Sequence, residues 1–203
     1  MLAAGFVTFT AVSTWGIGFL APHPEIQQKA FEAIRKTYDE GNPLCDTHDD
    51  QTVPYLRALV CECLRFLIVP RLPLPLATNK EFMYEGKLVP KGTIVFLNYW
   101  ACNMGPPPER WLENPEAPMF TYGMGCRMCA GTMLANRELY ITFLRMLASF
   151  ELSSTDKIDT DPITGAADLT NLIVTPCSYK ATFTPRNESA LRAALETKVK
   201  HQF

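Results

Sequence analysis

The sequence predicts a mainly α-helical protein with small β-sheets, an α+β fold, from three patterns. An uncharged apolar run over residues 1–21 predicts a helix, and apolar side chains recur at helical spacing over residues 24–38 and 130–149. Between these segments, short β-type runs are separated by Glu85-Gly86 and Lys91-Gly92, as in hairpins. With 203 residues, 47% of them hydrophobic, the chain has enough apolar material for a core.

The opening helix has two interpretations. The first 24 residues contain no Asp, Glu, Lys or Arg, which satisfies the length rule of about 18 apolar residues for a membrane span. The same run includes several threonines and glycines, and no basic segment precedes it as in a signal peptide. Composition therefore leaves a membrane anchor and a buried core helix equally open. His23-Pro24 ends this helix and starts the next, because proline suits the first helical turn.

The next elements follow from spacing and turn residues. Ile26, Ala30, Ile34 and Tyr38 predict one amphipathic surface helix. Residues 39–51, rich in Asp and Gly, predict a loop that ends at Thr52, the expected N-cap of a helix through Phe66. Strands are expected at residues 81–84, 87–89 and 93–97.

The second half of the chain alternates irregular and helical segments. Residues 103–119 are proline-rich and are expected to be irregular. A helix is predicted from about residue 130 to 149. Residues 172–175 and 179–183 predict another small β-element, and a polar helical tail begins at Glu188.

Composition limits the classes of function. The net charge is −2, and Lys and Arg are scattered, which argues against a nucleic-acid partner. Seven cysteines, an odd number in a chain of this size, argue against a disulfide framework and favour a reducing compartment. Only three histidines occur, so nitrogen ligands for a metal are few.

The segment FTYGMGCRMCAG, residues 120–131, suggests three chemistries. A phosphate-binding loop would require a following lysine or a preceding strand, and here a proline-rich stretch precedes the glycines. The Cys126-Arg-Met-Cys129 pair suggests zinc or redox chemistry, but Cys61 and Cys63 lie two residues apart on a helix and point to different faces. A thioredoxin-like motif would require a βαβ context. The third chemistry is a single thiolate, Cys129, favoured by the positive end of the following helix.

This segment resembles the haem-binding signature of the cytochrome P-450 superfamily, F-x-x-G-x-G-x-R-x-C-x-G. The fixed positions are matched by Phe120, Gly123, Gly125, Arg127, Cys129 and Gly131. The resemblance implies that Cys129 is the proximal ligand of haem b (iron protoporphyrin IX) and that Arg127 pairs with a propionate. Phe120 and the glycines would shape the sulfur loop, and Cys126 would be incidental. It also implies a fold that corresponds to the C-terminal portion of the superfamily, truncated.

A second motif lies on the helix before Phe66. Glu62 and Arg65 are three residues apart and share a face, which by itself predicts a surface ion pair worth about 0 to 1 kcal/mol. In the superfamily such an E-x-x-R pair joins an arginine of a downstream P-E-R-[FW] segment and holds the loop beneath the haem. Pro108-Glu109-Arg110-Trp111 matches that segment, so the resemblance implies a structural triad of Glu62, Arg65 and Arg110.

The uncharged opening contains a third motif. Residues 4–8 resemble the A-G-x-[DE]-T stretch of the helix over the distal haem face, which implies a catalytic role for Thr8 in proton delivery and replaces the membrane-anchor interpretation. The competing interpretation is a threonine whose hydroxyl bonds back to a helix carbonyl. Three departures bear on activity: Val7 occupies the acidic position, Leu76 lies where relatives have a basic residue, and the loop near Gly105 is shortened.

The resemblance implies two regions, a cytochrome P-450 C-terminal region over residues 1–187 and a polar tail over 188–203. The implied function is a haem-thiolate monooxygenase that inserts one oxygen atom from O2 into an organic substrate. The stretches FLNYWACNMG and CAGTMLANRELY resemble fungal members that hydroxylate phenylacetate-type aromatic acids. The alternative is an inactive truncated fragment that binds haem weakly or not at all.

Partners and location are also implied by the resemblance. The expected partners are a small organic substrate, O2 and an NADPH-dependent reductase, with no nucleic acid. Members of the family are held on the cytosolic face of the endoplasmic reticulum membrane by an N-terminal anchor. This chain is expected to have no such anchor, in which case it is cytosolic.

Overall fold

Packing among four helices builds the core of the structure. The computed structural model describes residues 2–39, 42–45, 51–67, 69–71, 74–104 and 119–200. Its helices are α1 (Leu2–Leu20), α2 (Pro24–Arg35), α3 (Pro54–Phe66), α4 (Tyr99–Met104), α5 (Thr132–Ser149) and α6 (Glu188–Lys200). Its strands are β1 (Leu76–Ala77), β2 (Phe82–Tyr84), β3 (Lys87–Val89), β4 (Ile94–Val95), β5 (Phe150–Ser153) and β6 (Thr182–Pro185). The mainly α class with small sheets is confirmed.

The strands pair in antiparallel two-stranded sheets. β2 and β3 form the expected hairpin, with Met83 opposite Leu88. Its turn residues Glu85 and Gly86 both have positive φ, 48° and 75°, as a tight hairpin turn requires. The run at 93–97 does not extend this hairpin, because β4 pairs with β1 instead.

Of the β-element predicted from residues 172–175 and 179–183, only the second stretch overlaps a strand. β6 lies at Thr182–Pro185 and pairs with β5, which follows α5 directly. Pro176 forms an isolated bridge with Ala166. No helix-breaking residue separates α5 from β5 in the sequence. Strand β5, the partner of β6, therefore could not be recognised at the end of a strongly helical pattern.

Helix α1 belongs to the core along its second half. Ala11, Val12, Trp15 and Leu20 are buried, and the Trp15 indole Nε1 donates to the Val174 carbonyl at 2.9 Å. Within the described ranges, no helix by itself has the length and apolar character needed to cross a membrane. Residues 5–20 and Pro24–Arg35 pass that test only as a pair, and they are bent by 109°.

A helix boundary and an entire helix differ from the expectations. Helix α3 begins at Pro54 with Val53 at its N-cap, one residue later than the predicted Thr52, and the Val53 N–H donates to the Tyr140 hydroxyl at 3.0 Å. Helix α4 was not predicted and overlaps the segment expected to be irregular. The Asn98 side chain accepts the Ala101 N–H at 3.0 Å, which caps this helix.

Candidate functional site

The loop that precedes α5 is a tight glycine turn. Gly123 and Gly125 have φ of 81° and 64°, the left-handed region that favours glycine, and residues Gly125–Arg127 form a single 3-10 turn. A Cβ on Gly123 would lie 3.1 Å from the Tyr99 hydroxyl, whereas one on Gly125 would meet nothing within 4 Å. Gly123 is therefore required by both conformation and space, and Gly125 by conformation alone.

Backbone hydrogen bonds fix the position of Cys129. The Gly123 N–H donates to the Phe120 carbonyl at 2.8 Å, and the Cys129 N–H donates to the Tyr122 carbonyl at 2.9 Å. The Cys129 carbonyl accepts the Thr132 hydroxyl at 2.7 Å, where α5 begins. The thiols of Cys126 and Cys129 are free, and both residues are exposed. The loop thus holds Cys129 at the helix entrance and leaves it accessible.

Two tyrosines that sequence reasoning did not select lie near this loop. The Tyr122 hydroxyl donates to Asn136 Oδ1 on α5 at 2.7 Å. Burial raises the pKa of Tyr122, and the thiols of Cys129 and Cys61 add to the shift. Burial also raises the pKa of Tyr99, again with an addition from Cys129. Both phenols therefore keep their protons beside the cysteine at neutral pH.

The Glu62 and Arg65 pair is more than a surface ion pair. Arg65 Nε and Nη2 bond the two Glu62 carboxylate oxygens at 2.8 and 2.5 Å, a bidentate contact. The Arg65 side chain is 11% exposed, and its Nη1 donates to the Asn103 carbonyl at 2.9 Å. The hydrogen bond to Glu62 raises the pKa of Arg65, so the guanidinium stays charged. Arg110, the expected third member, lies outside the described residues.

The other residues selected from the sequence lie in the loop before α5, on α1 and on β1. Phe120 is half-buried at the start of the loop, and Arg127 is exposed at the end of the 3-10 turn. Thr8 is half-buried on α1, and its hydroxyl donates to the Gly5 carbonyl at 3.2 Å, as the competing interpretation expected. Val7 and Leu76, which mark departures from the motif, are exposed.

Comparisons with known proteins decide the family. The sequence model described as "Cytochrome P450" matches residues 1–183 of the chain. This chain belongs to the cytochrome P-450 family. The resemblance on which the sequence analysis relied is thereby confirmed.

Similar proteins include fungal hydroxylases of aromatic acids. The chain is 51% identical to 3-hydroxyphenylacetate 6-hydroxylase of Emericella nidulans, over 96% of this chain and 40% of that protein. It is 33% identical to phenylacetate 2-hydroxylase of the same organism, over 99% of this chain and 43% of that protein. The chain thus spans about 40% of the length of these relatives.

The fold matches solved members of the family. A zebra fish cytochrome P-450 structure with abiraterone superposes with a TM-score of 0.76 at 28% identity, over 91% of this chain and 46% of that one. A second zebra fish structure, with progesterone, gives a TM-score of 0.75 at 27% identity, over 91% of this chain and 43% of that one. The fold is therefore that of a partial cytochrome P-450.

The family implies a haem cofactor, and the residues of this cytochrome P-450 chain fit one. Cys129 offers an accessible thiol, the kind of soft ligand that haem-thiolate proteins use. Met124 and Met128 beside it, and Met133 and Leu134 in the first turn of α5, expose apolar side chains, as a flat apolar macrocycle requires. Accessible sulfur and apolar surroundings are thus combined in one short stretch.

The cysteines of α3 lie in a more buried environment than Cys129. Burial raises the pKa of Cys63 to about 12 and also raises that of Cys61. A thiol that keeps its proton is a poor metal ligand. Across the residues that the structure describes, no group of three or more His, Cys, Asp or Glu residues comes together as a metal site would require.

Proposed function

We propose that this chain carries the haem-thiolate site of a monooxygenase that inserts one oxygen atom from O2 into an organic substrate. The observation that supports this best is the accessible Cys129 thiol, held at the entrance of α5 by the Tyr122 carbonyl. The bound cofactor, haem b, would supply the activation of dioxygen. The chain's own residues bind and orient that group and supply a proton.

Each predicted site residue has a proposed task. Cys129 Sγ is the metal ligand, and the Arg127 guanidinium binds a propionate. Phe120, Gly123, Gly125 and Gly131 shape the loop around the sulfur. Glu62, Arg65 and Arg110 hold that loop in register. Thr8 Oγ1, which donates to the Gly5 carbonyl, turns away from that acceptor and relays a proton: it gives up its own proton and takes another from solvent.

Two relatives indicate the substrate class. Both hydroxylate phenylacetate-type acids by name, one at 51% identity, so we propose an aromatic carboxylic acid as substrate. An NADPH-dependent reductase would donate the electrons. We further propose that the whole protein acts at the cytosolic face of the endoplasmic reticulum, and that residues 1–187 are the cytochrome P-450 region with 188–203 as a tail.

The test is a reduced carbon-monoxide difference spectrum of the purified 203-residue chain after reconstitution with haem. We expect a thiolate-type Soret band for the wild type. Cys129→Ala removes that band because it removes the sulfur donor, whereas Cys126→Ala, three residues away in the same loop, keeps it. A thiolate-type band in the Cys129→Ala variant would disprove the ligand assignment.

A second candidate function is a fragment that binds haem weakly or not at all. It is favoured by the many large apolar side chains that are exposed, for example Phe6 on α1 and Met133 on α5. The same spectrum separates the two candidates. An imidazole-type band, or no spectral change upon addition of haem, would favour the fragment.

A further inference from the structure

Asn103 on α4 connects the Glu62 and Arg65 pair to the loop that carries Cys129. Its side chain is buried, with 4% of the residue exposed. Its backbone carbonyl accepts Arg65 Nη1 at 2.9 Å, and its Oδ1 accepts the Phe120 N–H at 2.9 Å. One residue therefore contacts both the arginine on α3 and the first residue of the loop.

Thr121 closes this connection on α3. Asn103 Nδ2 donates to Thr121 Oγ1 at 2.9 Å, and Thr121 Oγ1 donates to the Leu64 carbonyl at 2.8 Å. Thr121 is 6% exposed, so these polar groups are withdrawn from water. These hydrogen bonds connect Arg65 on α3 to Asn103 on α4 and Asn103 to the loop, and Thr121 of the loop bonds back to Leu64 on α3. This path is closed by side chains whose donors and acceptors are matched.

The path reaches Cys129 through the next residue along the chain. Tyr122 follows Thr121 directly, and its carbonyl accepts the Cys129 N–H at 2.9 Å. Fixing Phe120 and Thr121 therefore fixes the peptide that holds the cysteine. Loss of the Asn103 side-chain amide would leave the Phe120 N–H without its acceptor. An unsatisfied N–H is unfavourable inside a protein.

We propose that Asn103, together with Thr121, is a positioning residue for the Cys129 sulfur. Asn103 transmits the position of Arg65 to the loop through its two side-chain hydrogen bonds. The inference rests on the proposed haem-thiolate function for its spectroscopic consequence. Its structural consequence, an ordered Cys129 amide, is independent of the cofactor.

The main experiment compares Asn103→Leu with Gln27→Leu in the full chain. Gln27 is a matched control, because its side chain is also buried (1% exposed) and its Oε1 accepts the Leu152 N–H at 2.8 Å. Its Nε2 donates to the Leu20 carbonyl at 2.8 Å, so both substitutions remove a buried amide with a donor and an acceptor partner. Both variants are expected to lose stability. At equal bound haem, only Asn103→Leu is expected to change most of the reduced carbon-monoxide band from the thiolate type to the imidazole type.

Thr121 offers a conservative rescue. Thr121→Val removes the hydroxyl at nearly constant shape, and Thr121→Ser restores it. We expect Thr121→Val to lose thiolate-type absorbance and Thr121→Ser to keep the wild-type share. Equal thiolate-type shares in Thr121→Val, Asn103→Leu and the wild type would overturn the proposal and leave the contacts with a stabilising role only.

Hydrogen exchange separates a failure of this inference from a failure of the proposed function. In the chain without haem, Asn103→Leu should speed exchange of the Phe120 and Cys129 amides by about tenfold, the factor expected for loss of one hydrogen bond. Gln27→Leu should speed exchange at Leu152 instead. If the wild type binds no haem but the two variants show these changes in exchange rate, the proposed function fails and the positioning role stands. If Cys129 exchange is unchanged in Asn103→Leu, the positioning role fails.

Discussion

At the scale of single residues, burial divides the cysteines of this chain into two chemical groups. Cys126 and Cys129 lie exposed in the loop before α5, whereas Cys63 is buried on α3 and Cys61 is half-buried beside it. Burial raises the pKa of Cys63 from its ordinary 9.0 to about 12, and the charges of Glu62 and Cys61 add to the shift. The signature motif therefore selects one of the exposed cysteines, Cys129, as the proposed ligand.

The buried Cys63 thiol predicts a stability that depends on alkaline pH. The folded pKa is raised, so this contribution is complete below about pH 9 and declines as pH rises toward about 12. Between these values the unfolded chain has lost the proton that the folded chain keeps. The free energy of unfolding should then fall by about 1.4 kcal/mol per pH unit from this group alone. Urea unfolding measured at several pH values between these limits tests the slope.

The control for this prediction is a pair of truncations on α3. Cys63→Ala should lower stability below about pH 9 and flatten the slope above it, because no titrating thiol remains at this position. Val60→Ala, also buried on the same helix, should lower stability without changing the slope. An unchanged slope in Cys63→Ala would show that the folded chain does not retain the thiol proton.

At the scale of elements, α1 crosses α5 at a glycine. A Cβ on Gly16 would lie 2.4 Å from Cζ of the Phe143 ring, which is buried with 1% exposed. On the same helix, a Cβ on Gly5 would meet nothing within 4 Å. The close approach of the two helices at Gly16 therefore depends on the absence of a side chain, whereas Gly5 is unconstrained by packing.

This contrast predicts opposite effects for the same substitution. Gly16→Ala gains helix propensity of about 1 kcal/mol, but overpacking costs about 1 to 3 kcal/mol, so a net loss of about 1 kcal/mol is expected. Gly5→Ala gains up to about 1 kcal/mol because only the propensity changes. Denaturant unfolding of both variants measures the difference. A stabilised Gly16→Ala would mean that the Phe143 ring moves aside at little cost.

The long helices were predictable from the sequence, whereas most of the strand pairing was not. Helices α2 and α5 each carry their apolar face in one continuous stretch, so local spacing locates them. The pairing of β5 with β6 joins Phe150–Ser153 to Thr182–Pro185, and no local pattern specifies such distant partners. Only the β2–β3 hairpin was correctly paired, because Glu85-Gly86 is a turn signal between adjacent strands.

The residues of the candidate site were also only partly predictable from the sequence. Gly123 and Gly125 were selected by the signature, and their positive φ agrees with the need for glycine. Asn103 and Thr121 follow no motif, since a buried amide and hydroxyl become recognisable only when their partners are seen. The sequence therefore predicted the residues expected to face the cofactor and the Glu62 and Arg65 pair, and missed the buried polar side chain that lies between that pair and the loop.

At the scale of the whole molecule, the apolar residues divide between a core and several exposed surfaces. The core lies between α1, α2, α3 and α5. Large apolar side chains are exposed at the start of α1, on the β1–β4 sheet and around Cys129, for example Phe6, Ile94 and Met133. Apolar surfaces of this kind usually bind a ligand or another part of a protein. The surface around Cys129 lies beside the proposed haem ligand.

Haem binding at this site should stabilise the chain by mass action. At free haem one hundred times the dissociation constant, the gain is about 2.7 kcal/mol. For a chain of this size, about 2 to 4 °C per kcal/mol gives a rise in Tm of about 5 to 11 °C. Thermal unfolding followed by circular dichroism at increasing haem concentration measures this rise.

Two comparisons identify the source of that stabilisation. Iron-free protoporphyrin IX offers the same apolar ring without a metal, so it should raise Tm less than haem if the sulfur of Cys129 binds the iron. Cys129→Ala should reduce the haem effect to that of the iron-free ring, because only apolar contact remains. Equal shifts for haem and the iron-free ring in the wild type would mean that the exposed apolar surface, rather than the thiolate bond, binds the macrocycle.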